Sequence, residues 1–248
     1  MFDFDRSLAH GCCMQLNEMT MTRRALLGGV AMTSLCLALP LGITDALAQE
    51  KLPESQGDVD MAAALKPGPL PEMALGEENA KVQIIEYMSM TCPHCAHFHN
   101  TTFDTIKTKY IDTGKVRFIL REFPFDPVAT AAFMLARCSP QDPKAMSTPA
   151  QYFPMVSMLF KQQRAWASPQ DGNVRAALLQ TVKLAGYSQE SFEACLTNQK
   201  LLDEVNDVVK RATSDFGVNS TPTFLIGGKK YSGDMTVDAM SNLIDGLL

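Results

Sequence analysis

Hydrophobic positions change their period several times along this chain, and each change marks an element. Val82 to Tyr87 is a compact apolar run rich in β-branched residues, the pattern of a buried strand. It stops at Met88-Ser89-Met90-Thr91, and one helix is predicted from Cys92 to about Tyr110. Val116 to Phe123 reads as a second strand, ended by Pro124 and Pro127. From Asp126 to Asp215 the pattern is helical throughout. Ala129 to Ala136 is a strong helix-forming run, and Phe153 to Trp166 carries Phe153, Val156, Leu159 and Phe160 on one helix face. Val174 to Ala185 and Ser191 to Leu196 give two shorter helices. Leu201 to Thr213 gives another, with Leu202, Val205, Val208 and Val209 on one side. Residues 139–151, with Pro140, Pro143 and Pro149, read as a loop. Strand character returns at Thr223 to Ile226, Gly227-Gly228 makes a hairpin turn into Lys229 to Tyr231, and a last helix is predicted from about Val237 to Leu247.

The resulting order is strand, helix, strand, a long helical stretch, strand, strand, helix. That is an α/β domain, residues 76–125 and 214–248, with a helical domain inserted at 126–213. Such an insert leaves the sheet intact because the cost of closing a longer loop grows slowly. Residues 49–75 are rich in Pro, Gly, Ala and acidic residues without a sustained period, so an exposed, flexible arm is expected there.

Composition narrows the class. The chain has 248 residues, 46% of them hydrophobic and 20% charged, which excludes a disordered chain and a multi-span membrane protein. A net charge of −5 argues against a nucleic-acid partner. Residues 1–48 read as a cleavable export signal. Arg23 and Arg24 precede an uncharged run from Ala25 to Thr44, and Ala46-Leu47-Ala48 offers a small-residue cleavage site. Thr22-Arg23-Arg24-Ala25-Leu26-Leu27 also resembles the twin-arginine export motif. Cys36 does not suit a lipoprotein, because bulky Leu35 precedes it. Export implies the periplasm. Of the seven cysteines, Cys92, Cys95, Cys138 and Cys195 follow the signal, an even set compatible with full pairing.

The candidate chemistry is Cys92-Pro93-His94-Cys95, placed where a strand gives way to a helix. Free N–H groups and the helix dipole at that end favour a thiolate at Cys92, and the thiolate is the attacking species. Pro93 suits the first helical turn, His94 can donate to or carry charge beside the thiolate, and Cys95 is placed to resolve a mixed disulfide. A metal site competes with this reading. Cys95 and His99 are four residues apart on the predicted helix, so Cys92, Cys95 and His99 can be gathered around copper or zinc. The plainer reading, which is favoured, places His97 and His99 on the exposed face of the helix, with no metal and no cofactor. Two distant features support redox chemistry. Ser220-Thr221-Pro222-Thr223 places a proline at a strand start, where a cis peptide bond is feasible. Glu86 lies in a run that reads as buried, and a buried carboxyl can move protons.

The two segments from Ile84 to Cys95 and from Gly217 to Phe224 are similar to the DsbA family of periplasmic thiol–disulfide oxidoreductases, within the thioredoxin superfamily. The resemblance covers about residues 72–248 and implies a thioredoxin-like fold with an inserted helical domain. It further implies that Cys92 is the nucleophile, Cys95 the buried partner and Glu86 a buried acid. Pro222 would be cis, with Thr221 touching substrate. Cys138 and Cys195, at opposite ends of the insert, resemble the second disulfide of some α-proteobacterial members. The implied substrates are reduced exported proteins, and the implied reoxidase is a quinone-linked membrane partner of the DsbB type. Thr221 departs from the Val of the strongly oxidising members. An isomerase or reductase therefore stays open beside the oxidase, as do a copper- or zinc-binding protein and a catalytically idle binding module. Residues 49–75 carry no heptad pattern, so a monomer is expected.

Overall fold

A computed structural model describes residues 53–248; the export signal expected over 1–48 lies outside them. A short helix α1 (Met61–Ala64) is followed by strand β1 (Met73–Leu75) and strand β2 (Val82–Met88). Helix α2 (Pro93–Thr101) runs into α3 (Phe103–Ile106) and a π-helical turn (Lys107–Ile111), before strand β3 (Val116–Glu122). Six helices then succeed one another: α4 (Pro127–Arg137), α5 (Pro149–Lys161), α6 (Gln163–Ala167), α7 (Val174–Lys183), α8 (Gln189–Leu196) and α9 (Gln199–Phe216). Strands β4 (Thr223–Ile226) and β5 (Lys229–Ser232) and helix α10 (Val237–Asp245) complete the fold.

The strands form one mixed sheet in the order β1-β3-β2-β4-β5. β2 and β3 are parallel, joined through α2, and the other pairs are antiparallel. Six of the seven residues of β2 are buried, and so are six of seven in β3. A strand covered on both faces has no reason to alternate polar and apolar residues, which is why both read as continuous apolar runs. Side-chain direction still alternates. Ile84, Glu86 and Met88 therefore face α2, while Ile85 and Tyr87 face the side reached by α9. The β4–β5 turn is made by Gly227 and Gly228, with φ of 57° and 81°, as a two-residue hairpin requires.

Three expectations change. The segment expected as a flexible arm is anchored at several points along its described residues. Ala64, Leu70 and Met73 are at most 4% exposed, and β1 pairs with β3 in the register Met73↔Leu120. The Arg211 guanidinium donates to the carbonyls of Ala63, Lys66 and Pro67 and holds this strap down. A three-residue strand and a one-turn helix are too short to show a period, so their anchors come from tertiary partners. The helix predicted from Cys92 to Tyr110 is broken at Thr102 (φ −111°), whose hydroxyl donates to the Met235 carbonyl at 2.8 Å. The helix predicted from Phe153 to Trp166 instead starts at Pro149, behind a Thr148/Gln151 capping box, and breaks at Gln162. Cys138, at the C-terminus of α4, and Cys195 of α8 are disulfide-bonded, with Cα atoms 5.9 Å apart.

Candidate active site

Cys92 is the N-cap of α2, in extended conformation, and Pro93 occupies the first helical position, where its missing N–H costs nothing. Cys92 is partly exposed and Cys95, one turn along, is fully buried. Cys92 Sγ lies 3.3 Å from the Thr221 carbonyl, which it can reach as a thiol donor. The Thr221–Pro222 peptide bond, in the loop that leads into β4, is cis.

The two thiols differ sharply in acidity. The Cys95 thiol, the Thr221 side chain and the backbone amides of Cys95 and His94 stabilise the Cys92 thiolate and lower its pKa to about 5, against the opposing effect of burial. Burial pushes Cys95 well above its ordinary range, reinforced by its hydrogen bond to Cys92 and the nearby charge of Glu86. One cysteine is therefore a thiolate at neutral pH and the other holds its proton. The His94 ring is exposed and makes no hydrogen bond among the described residues; the residue acts on Cys92 through its backbone N–H.

Glu86 is fully buried on β2, between Leu120 of β3 and Phe224 of β4 in register. Its Oε2 meets His99 Nε2 at 2.9 Å, and its Oε1 has no partner among the described residues. The expectation of an exposed His99 is corrected here: the residue is 7% exposed, its ring stacked on Phe160 and beside Phe103. α2 lies flat on the sheet and is roofed by α5, so its buried face takes Cys95, Ala96, Phe98 and His99 together. His97 does stand at the surface, paired with Asp234. The Cys92/Cys95/His99 metal arrangement does not form, since His99 Nε2 is committed to Glu86. Among the described residues no group of three or more His, Cys, Asp or Glu side chains is placed to hold a metal ion.

Three contributors carried no signal in the sequence. Gln163, at the start of α6, donates through Nε2 to the carbonyls of Met90 (2.8 Å) and Cys92 (3.0 Å), tying the inserted helices to the Cys-x-x-Cys loop. Asp126 caps α4 and accepts from the Thr91 hydroxyl at 2.6 Å. Phe125, beside it, is 59% exposed. Residues at a helix start or in a short loop carry no period, so only the tertiary structure identifies them.

A family model described as Thioredoxin matches residues 70–246. The chain belongs to the thioredoxin family. Within it, the crystal structure of Wolbachia pipientis alpha-DsbA1 matches at 30% identity with a TM-score of 0.65, over 75% of this chain and 94% of that one. That likeness places the chain with the DsbA proteins. Oxidised BdbD from Bacillus subtilis shares the fold, with a TM-score of 0.59 at 18% identity over 79% of this chain and 98% of that one. A curated Rickettsia conorii protein, provisionally named a protein-disulfide oxidoreductase, is 32% identical over 180 residues, 71% of this chain and 60% of that protein. The chain spans about 60% of the length of the Rickettsia relatives it matches.

Proposed function

We propose that this protein is a periplasmic thiol–disulfide oxidoreductase that introduces disulfide bonds into exported proteins. The observation that carries the reading is the division of acidity between Cys92 and Cys95. A substrate thiolate attacks Cys92 Sγ of the Cys92–Cys95 disulfide, the S–S bond breaks, and its electron pair leaves on Cys95 Sγ, which takes up a proton. The substrate's second thiolate then attacks the substrate sulfur of the mixed disulfide. Cys92 departs as a thiolate, already stable at neutral pH, and the substrate leaves oxidised. Stabilising the reduced form in this way makes the disulfide a strong oxidant. The Thr221–Pro222 turn is positioned to receive an extended substrate chain beside Cys92. A membrane quinone-linked partner of the DsbB type would restore the disulfide. Relatives named for protein-disulfide chemistry, and the export signal read in residues 1–48, support the same reading.

Equilibrating the protein with glutathione buffers tests it. An oxidase should give a reduction potential near −120 mV. A value of about −200 mV or lower would replace it with an isomerase or reductase. Cys92→Ala should abolish exchange; unchanged exchange in that variant would refute the site.

A further inference from the structure

Glu86 and His99 form a buried pair whose third connection is missing inside the protein. Glu86 Oε1 is one of the buried side-chain polar atoms without a partner among the described residues, whereas His99 Nδ1 is not. Among the described residues Nδ1 makes no hydrogen bond and is not one of the fully buried unpartnered atoms, so the 4% of the side chain that stays exposed is assigned to that edge of the ring. The imidazole thus joins solvent, at Nδ1, to a carboxylate, at Nε2. Its faces are packed between Phe103 and Phe160, so the ring is held in line rather than free to swing. The far oxygen of that carboxylate is unpaired, and the carboxylate's charge is felt by the Cys95 thiol.

We propose that His99 is the conduit through which protons pass between solvent and Glu86, and thereby to Cys95, during disulfide opening. This rests on the thiol-exchange reading above. When the substrate thiolate bonds to Cys92 Sγ, the electron pair of the broken S–S bond resides on Cys95 Sγ. His99 passes its Nε2 proton to the Glu86 carboxylate, Glu86 hands a proton on to that sulfur, and solvent resupplies His99 at Nδ1. One thiolate, one disulfide and one proton become one mixed disulfide and one thiol, so charge and atoms balance. Among the described residues the imidazole is the one hydrogen-bond partner of the buried carboxyl, and its strand neighbours Leu120 and Phe224 are apolar. His99 is in this sense a positioning residue that acts through Glu86. The other titratable groups around the pair are Cys92 and Cys95 at the start of α2, Tyr152 on α5, and Glu122 on β3, which accepts from the Tyr152 hydroxyl. α3 and β4 present Phe103 and Phe224.

The test is the rate at which a small dithiol opens the oxidised protein between pH 4 and 9, corrected for dithiol ionisation. Wild type, His99→Gln and His99→Ala are compared. Gln keeps a hydrogen bond to Glu86 but carries no proton between two nitrogens. The expected result is a corrected rate that falls with rising pH in wild type, and one that is roughly tenfold lower and flat in both variants at neutral pH. A purely structural His99 predicts that Gln restores the wild-type profile, and that result overturns the proposal. If the dithiol fails to open wild type, the exchange reading itself falls and the conduit with it. If wild type opens with no pH dependence, only the conduit falls.

Discussion

Cys92 and Cys95 are one helical turn apart, and that turn separates a partly exposed thiol from a wholly buried one. The difference follows from backbone geometry: an N-cap looks out past free amides, while the third helical residue points into the sheet. Titrating the reduced protein by thiolate absorbance at 240 nm should show one transition with a midpoint of about 5, and none at that pH in Cys92→Ala. Gln163 belongs to the same scale. Gln163→Ala removes the donor to the Met90 carbonyl and one of two to the Cys92 carbonyl, which keeps the Ala96 N–H, so a loss of about 1–2 kcal/mol is expected in denaturant unfolding of the reduced protein.

Among the elements, β3 and α4 are joined by an ion pair excluded from water. Arg137 donates to both oxygens of Glu122 at 2.5 and 2.9 Å, and the Tyr152 hydroxyl donates to the same carboxylate at 2.8 Å. A further Arg137 donor reaches the Pro71 carbonyl at 2.5 Å, so the pair also anchors the N-terminal strap. Arg137→Met strands a buried carboxylate and should cost about 3–5 kcal/mol in chemical denaturation, while Arg137→Met with Glu122→Leu should cost less. α4 and α8 are further tied by Cys138–Cys195, which closes a loop of sequence separation 57. The chain-entropy model assigns such a closure about 4 kcal/mol. Replacing both cysteines by serine should lower unfolding stability by about that amount while leaving the Cys92 titration in place.

For the whole molecule, the depressed Cys92 pKa links redox state to stability. An unfolded cysteine titrates near 9.0 and the folded one at about 5, so the reduced fold binds fewer protons than the unfolded chain across that window. The extra stability of the reduced form is complete above pH 9 and disappears as pH falls through 5. Melting curves of oxidised and reduced protein should therefore converge on acidification towards pH 5, with the reduced form the more stable at pH 7. Curves that stay parallel would contradict the thiolate assignment.

Much of this architecture is local in origin. The buried runs Val82–Tyr87 and Val116–Phe123, the Gly227-Gly228 turn and the helix-forming face of Leu201–Thr213 are set by side-chain period and backbone freedom, which neighbouring residues decide among themselves. The Cys-x-x-Cys motif at a strand–helix junction is equally local. Contacts between distant segments are not. The break at Thr102 answers to Met235, and the placing of residues 60–75 answers to Arg211 and Arg137. His99 turns inward only because β2 puts Glu86 beneath α2 and α5 puts Phe160 above it. A histidine on a short helix is compatible with either face, and its own sequence carries no preference. The sequence by itself determined strands β2 to β5, most of the helices and the redox motif, since these depend on local periodicity and hydrogen bonding. Only the tertiary structure decided which polar groups lose water and must find partners, because desolvation is imposed by packing between segments far apart in the chain.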